Sequence, residues 1–161
     1  VQQRKYMNIF ALDINPRKAS IYHTDKHIVK MPLETAQMLC TASFITGSKP
    51  KKYKPCFANH PCSVWARESL DNYYWLAELG IYLCEEYKFR YGREHSCFSV
   101  IQSCYDDVPN IRSIGLTKHK LAMPDDCKQD DAILSYQNYY NNYKTHLFNW
   151  TKRKTPYFVN K

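Results

Sequence analysis

Four side chains near the front of the chain recur at helical spacing. They are His27, Lys30, Glu34 and Gln37, at i, i+3, i+7 and i+10. Residues three and four apart are neighbours on a helix, so an imidazole, an amine and a carboxylate meet along two turns. Such groups can hold and pass protons. Val29, Leu33, Ala36 and Cys40 also recur at helical spacing and are expected to face a core. Pro32 lies within the polar stripe. It has no N–H to give the carbonyl of Ile28, so a kink and a free carbonyl are expected there. A plainer account also fits. Lys30 and Glu34 can be an ordinary exposed i,i+4 pair worth ~0.3 kcal/mol, with His27 a solvated residue of the first turn. Taken alone the stripe favours that account, because exposed ion pairs are common and weak. The rest of the chain has to decide.

The stripe must sit at the front of a long helix, expected from Lys26 to about Phe44, with Thr24 or Asp25 as its cap and Gly47-Ser48 as its stop. Before it, the run from Met7 to Leu12 is apolar and suits a short buried segment. Asn15 can cap, and Pro16 fits the first position of a short helix to about Tyr22. After it comes Lys49-Pro-Lys-Lys-Tyr-Lys-Pro55, four lysines in seven residues with two prolines, which must be a solvated extended loop. That loop serves either solubility or phosphate contact, and the overall charge favours contact through Lys51, Lys52 and Lys54. His60-Pro61 opens what reads as the longest helix, from about Cys62 to Arg90, with Gly92 as its stop. Arg67 lies one turn in, either near polar groups around His60 or simply on the surface. A helix is expected from about His95 to Tyr105. The stretch from Asp106 to Asp126 reads as irregular, and a loop that long is usually functional or packed. Asp130 and Asp131 precede a Tyr-rich helix from Ala132 to Leu147. The tail from Trp150 to Phe158 mixes Lys152, Arg153 and Lys154 with Tyr157 and other aromatics. That composition suits phosphates plus stacked bases, or equally a terminal segment laying its rings on the core. No strand and no internal repeat stand out. The fold is expected to be mainly α, a single helical domain over residues 1–161 built on two long helices with irregular connections.

The 161 residues carry a net charge of +8, with 44% hydrophobic and 24% charged residues, which is ordinary globular composition with a basic excess. Only 4 Gly stand against 14 Tyr, 7 Phe and 3 Trp, as expected of long aromatic-rich helices. No apolar run approaches the roughly 18 residues of a membrane span, and the first residues lack a signal-peptide core. A soluble, cytoplasmic protein is expected, without a membrane partner and monomeric. The charge points to a polyanion, most simply duplex DNA. The seven cysteines are an odd count with no secretory signal, so reduced thiols are expected. Cys56, His60 and Cys62 are the one cluster of metal-type ligands. No second pair at zinc-finger spacing follows, and no metal is assigned.

The order of these motifs resembles a known family. Asp25-x-His27, with Glu34 nine residues after the aspartate, resembles the corresponding helix of the pyrimidine-dimer DNA glycosylases of the phage endonuclease V type. Asn59-His60-Pro61, Trp65, Cys84-Glu85-Glu86 and Arg90-Tyr91-Gly92 look like the second long helix of small bacterial proteins of that group. The likeness runs from Met7 to Gly92 and rests on order and spacing. The C-terminal half matches only by its Tyr, Trp and Lys content.

The resemblance implies a helical, basic, cofactor-free DNA-repair enzyme of a bacterial or virus-infected cell. Such an enzyme kinks duplex DNA at a damaged pyrimidine. An amine attacks the sugar C1′, forms a Schiff base, and β-elimination then cuts the strand. Glu34 takes the place of the catalytic acid, and the basic and polar residues around it, Lys26 among them, grip phosphates. A carboxylate fixed beside a sugar that gains positive charge is physically apt. The amine must be unprotonated. A terminal α-amine with pKa ~7.7–8 is better supplied at neutral pH than a lysine at ~10.4, unless burial or cationic neighbours lower the lysine.

The chain departs from the family here. In the family a small residue after the initiator Met supplies the amine, whereas six residues precede Met7 in this sequence. The α-amine of Val1 is one candidate, and Lys30 and Lys26 are candidates by proximity. Two other readings stand beside a glycosylase with strand-nicking activity. One is a base-modifying enzyme on the same fold, with His27, Lys30, Glu34 and His60 handling a leaving group. The other is a non-catalytic DNA-binding protein in which Glu34 is structural.

Overall fold

A computed structural model describes residues 7–160. Val1 therefore lies outside the described residues. The described chain is all helix and irregular connection, with six α-helices, two single 3₁₀ turns and no strand. No described helix is long and apolar enough to cross a membrane.

The helix starts follow local chemistry. α1 (Pro16–Tyr22) begins with Pro16 at its first position, and the Asn15 side chain accepts from the N–H groups of Arg17 and Lys18. α2 (Asp25–Ile45) starts after Thr24, whose hydroxyl makes no cap bond but donates to the carbonyls of Leu147 and Asn149. α3 (Pro61–Glu68) is capped by the His60 ring. α4 (Leu70–Tyr91) ends at Gly92, whose φ of 76° closes the helix in the left-handed region. α5 (Phe98–Asp106) follows, and the Asp131 carboxylate caps α6 (Ala132–Tyr143).

Four expectations need correction. The single helix expected from Cys62 to Arg90 is two. Ser69 sits in extended conformation, its hydroxyl caps Asn72 N–H and donates to the Gly115 carbonyl, and Leu70 N–H bonds the Arg112 carbonyl. The last helix stops at Tyr143, and Thr145–Leu147 is a separate 3₁₀ turn. The helix expected to begin at His95 begins at Phe98 instead. Val29 and Leu33 are exposed, at 46% and 40%. The buried side of α2 is carried by Ile28, Met31, Pro32, Thr35, Ala36, Met38 and Leu39. So α2 shows solvent Lys26, Val29, Lys30 and Leu33, and buries much of the rest of its circumference.

α2 and α4 form the centre. α1 packs on α4, and α3 and α5 each pack on both long helices. Gly80 of α4 leaves room for α2 and α5 to pack tightly against it. A Cβ there would lie 2.8 Å from Thr35 Cγ2 and 3.0 Å from Ile101 Cγ2. One hydrophobic core runs from Met7 to Trp150, with Trp65, Tyr73, Tyr136 and Tyr140 among its largest buried side chains. The segment from Met7 to Leu12 is buried throughout, as its apolar run predicts. Leu121, Ala122 and Met123 of the long irregular stretch also pack on the core, which answers where that loop goes.

Candidate functional site

Three groups surround Glu34 on the front of α2, two of them from other pieces of chain. The first is the buried N-terminal segment. Asn8 N–H donates to Glu34 Oε1 at 3.1 Å, and the Asn8 side chain donates to the Ala122 carbonyl and lies 3.1 Å from the Tyr136 hydroxyl. Asn8 thereby ties Glu34 to the irregular loop and to α6. The second is Lys30, whose Nζ lies 3.6 Å from Glu34 Oε2 across one helical turn. The distance is long for a hydrogen bond. The lysine side chain is 66% exposed and that of Glu34 only 10%. The third is Lys144, just past the end of α6. It is half-buried, its Nζ lies 4.9 Å from the centroid of the Tyr139 ring, and its charge acts on both Lys30 and Glu34.

These surroundings set the proton affinities. Burial raises the pKa of Glu34 above its ordinary value, with Lys30 and the Asn8 N–H pulling it back. Burial lowers the pKa of Lys144, Lys30 lowers it further, and Glu34 opposes both. His27 is not on the solvent face. It is 5% exposed, its ring stacks on Phe10 at 4.4 Å, and Nδ1 hydrogen-bonds the Tyr140 hydroxyl at 2.7 Å. Burial, then the nearby His23 and Lys144, push its pKa down to about 2. The imidazole is therefore a neutral packing ring at ordinary pH. The carbonyl one position beyond the expected one is engaged by tertiary structure: Val29 accepts from His95 Nε2 at 2.8 Å, while α2 runs unbroken through Pro32.

A concavity of about 450 Å³ opens beside this cluster. Asn8, His60, Met123 and Tyr139 are among its walls. It falls in the range of small-ligand sites, and its lining mixes apolar side chains with a few polar ones. His60 reaches it from the N-cap of α3. Its Nδ1 accepts from Cys62 N–H, so Nε2 carries the proton, and burial lowers its pKa. The region thus joins Glu34 and Lys30 to His60 through Asn8, which bonds Glu34 and lines the concavity, although neither Glu34 nor Lys30 lines it. Asn8, Tyr139 and Lys144 complete it. Sequence reading had no local signal for these three, since each belongs to the site through contacts across the whole chain.

The other candidates lie elsewhere or are already engaged. Lys26 is exposed on the first turn of α2. Lys52 and Lys54 are exposed on their loop, but Lys51 is tied down, with its Nζ 3.1 Å from Asp107 Oδ2 and its side chain 5% exposed. Arg67 bonds its own helix at the Ser63 carbonyl. In the tail, Arg153 makes a two-pronged pair with Glu86 and lies over the Phe89 ring at 4.3 Å, while Lys152 reaches the Phe89 carbonyl. Lys154 is exposed, and so is Tyr157 at 74%, though its hydroxyl accepts from Gln137. Trp150 and Phe158 pack inward, so the tail serves the core as well as the surface.

Behind the site lies a buried ion network. Arg90 of α4 bonds Asp25, Glu86 and the carbonyls of Ile21 and His23. Asp25 also accepts from Asn149 and twice from Thr151. It fixes the first turn of α2, and the tail with it. All seven cysteines are free, and among the described residues no group of three His, Cys, Asp or Glu side chains is placed to hold a metal. Comparison with protein-family models, curated proteins and solved structures returns no match to this chain.

Proposed function

We propose that the protein is a DNA N-glycosylase with lyase activity toward a damaged or modified pyrimidine in duplex DNA. The observation that carries this reading is Glu34. It is a nearly buried carboxylate with a raised proton affinity, 3.6 Å from Lys30 and held by the N–H of Asn8, a residue that also lines the concavity of about 450 Å³. A carboxylate in that setting can give a proton to a departing base and then, as an anion, stabilise a cationic sugar. Its partial exclusion from water strengthens the second effect. His60 supplies an N–H donor to that concavity. The net charge of +8 favours a polyanionic substrate, and Lys26, Lys52, Lys54 and Lys154 are exposed cations suited to phosphates.

The test is borohydride trapping on duplex DNA carrying an abasic site or a cyclobutane pyrimidine dimer. The expected outcome is a covalent protein–DNA adduct and, without borohydride, a nicked strand. Glu34→Gln is expected to lower turnover by about 10²–10³ while retaining DNA affinity. Unchanged turnover in Glu34→Gln ends this reading of the carboxylate. Salt-sensitive binding with neither adduct nor nick ends the enzymatic reading altogether.

A further inference from the structure

The proposed chemistry uses none of the seven free thiols, yet two of them face each other. Cys40 lies on α2 and Cys104 on α5, helices that pack together, and their sulfurs share a hydrogen bond at 4.0 Å. Among the described residues no other two cysteines are joined in this way. We infer that Cys40 and Cys104 are a modification site, a dithiol that a small hydroperoxide closes to a disulfide between α2 and α5, with Cys40 as the attacking sulfur. The inference stands apart from the glycosylase reading.

The loop before α3 is laid along this pair. Lys51 Nζ reaches the carbonyl of Ser103, the neighbour of Cys104, at 3.4 Å, and Asp107 at the end of α5 holds the same ammonium at 3.1 Å. The backbone of Cys56 bonds the hydroxyl of Thr41, the neighbour of Cys40, through both its N–H and its carbonyl. The hydrogen bond from Cys104 lowers the pKa of Cys40, burial opposes it, and the Tyr53 N–H and the Lys51 cation add to the lowering. Cys104, which gives that hydrogen bond and is buried, is raised. One sulfur is therefore disposed to attack as a thiolate, while the other keeps its proton. A disulfide brings its sulfurs to about 2.0 Å, so the pair must close by about 2 Å, a distance that side-chain rotation can supply. Both cysteines are buried, at 1% and 0% exposure. The oxidant must therefore enter when the loop lifts, a local opening that leaves the core intact.

With hydrogen peroxide the step balances as follows. The Cys40 thiolate attacks one peroxide oxygen and forms an S–O bond. The O–O bond breaks, and the departing hydroxide takes up the proton that Cys40 gave off and becomes water. Cys40 is now a sulfenic acid. The Cys104 sulfur attacks the Cys40 sulfur, the S–S bond forms and the S–O bond breaks. The second hydroxide leaves with the Cys104 proton as water. Two thiols are oxidised by two electrons, and one peroxide is reduced to two waters. A dithiol reductant reverses the bridge by thiol–disulfide exchange.

The test treats the folded full chain with hydrogen peroxide, quenches at timed points with a thiol alkylator in denaturant, and maps the cysteines by mass spectrometry. The expected product has lost about 2 Da, the mass of two hydrogens, and yields a peptide pair linked through Cys40 and Cys104 that dithiothreitol separates. Cys104→Ser is expected to stop at a Cys40 sulfenic acid that dimedone captures, and Cys40→Ser to lower bridge formation at least about tenfold. Thermal unfolding verifies that both variants fold. Asp107→Ala, which frees Lys51, is expected to speed bridging about threefold or more in an intact fold. A bridge between other cysteines in the wild-type chain, or a Cys40–Cys104 bridge that forms only after unfolding in urea, overturns the inference. An unchanged rate in Asp107→Ala overturns the loop as the route of entry. None of these results bears on Glu34.

Discussion

Asp25 and Glu86 lie at one end of the α2–α4 core, and Glu34 lies two and a half turns along α2 from Asp25. At the first site both oxygens of each carboxylate accept from N–H or O–H donors. Asp25 takes four such bonds from Arg90, Asn149 and Thr151, and Glu86 takes three from Arg90 and Arg153. At the second, Glu34 has one N–H donor and a loosely held lysine. Burial alone would raise the pKa of Glu86, but Arg153 and Arg90 outweigh it and lower the value, while Glu34 keeps its burial-driven rise. Similar burial therefore gives one carboxylate committed to the fold and one with unspent capacity to exchange protons. Strong perturbation by itself does not separate the two roles; the number of donors does.

The contrast is open to attack by mutation. The largest expected effect is at Arg90, which is 4% exposed. Arg90→Met leaves Asp25 and Glu86 without their shared cation, and a stability loss of about 3–5 kcal/mol is expected in denaturant melts. A loss under about 1 kcal/mol would mean the network contributes little. Glu34→Gln is expected to do the reverse. It removes a poorly solvated charge at constant shape, so stability at pH 7 should hold or rise by up to about 1 kcal/mol while catalysis falls.

The pH dependence sharpens the same pair. The folded-state pKa of Glu86 is depressed, so its contribution is present above its unfolded value and is lost as pH falls through the folded one. Glu34 is raised, so the folded state binds its proton more tightly and stability declines as pH rises from the unfolded to the folded value. Comparing pH–stability curves of wild type and Glu34→Gln should isolate that decline, and superimposable curves would remove it. The buried imidazoles add an acid limb. His23 and His27, lowered by burial from 6.5 to about 4 and about 2, stay neutral in the fold, and the unfolded chain takes up their protons first. Stability is expected to drop as pH falls below 6.5.

The smallest effects concern exposed cations. Lys52→Ala with Lys54→Ala should lower the log–log salt slope of DNA binding by about 1–2, at about 0.9 per phosphate contact. Lys51→Ala should leave it unchanged, because Lys51 is held by Asp107. An equal drop at Lys51 would show that it leaves Asp107 for DNA.

Much of the helical framework was readable from local chemistry. Asn15-Pro16, His60-Pro61, Asp131 and Gly92 mark helix ends with side chains and dihedrals that act within a few residues. The break at Ser69 was not, because the apolar stripe continues across it and its hydroxyl acceptor, Gly115, is 46 residues away. The inner face of α2 was misread for another reason. A helix buried around most of its circumference has no single apolar stripe, so periodicity picked Val29 and Leu33 when Ile28 and Met31 face inward. At the site, the one-turn pair of Lys30 and Glu34 was legible. Lys144 was not, since 110 residues separate it from Glu34 and only the docking of α6 brings them together.

The fastening of Asp25 to Asn149 and Thr151 spans 124 and 126 residues of chain. During synthesis the chain must therefore be made through Thr151 before the leading turn of α2 acquires these partners, long after Arg90 is available to Asp25. Closing so long a loop is slow relative to forming helices, which places this clasp late on the folding route. A nascent chain that has not yet reached Asn149 would hold Asp25 through Arg90 alone, with one of its four hydrogen bonds in place.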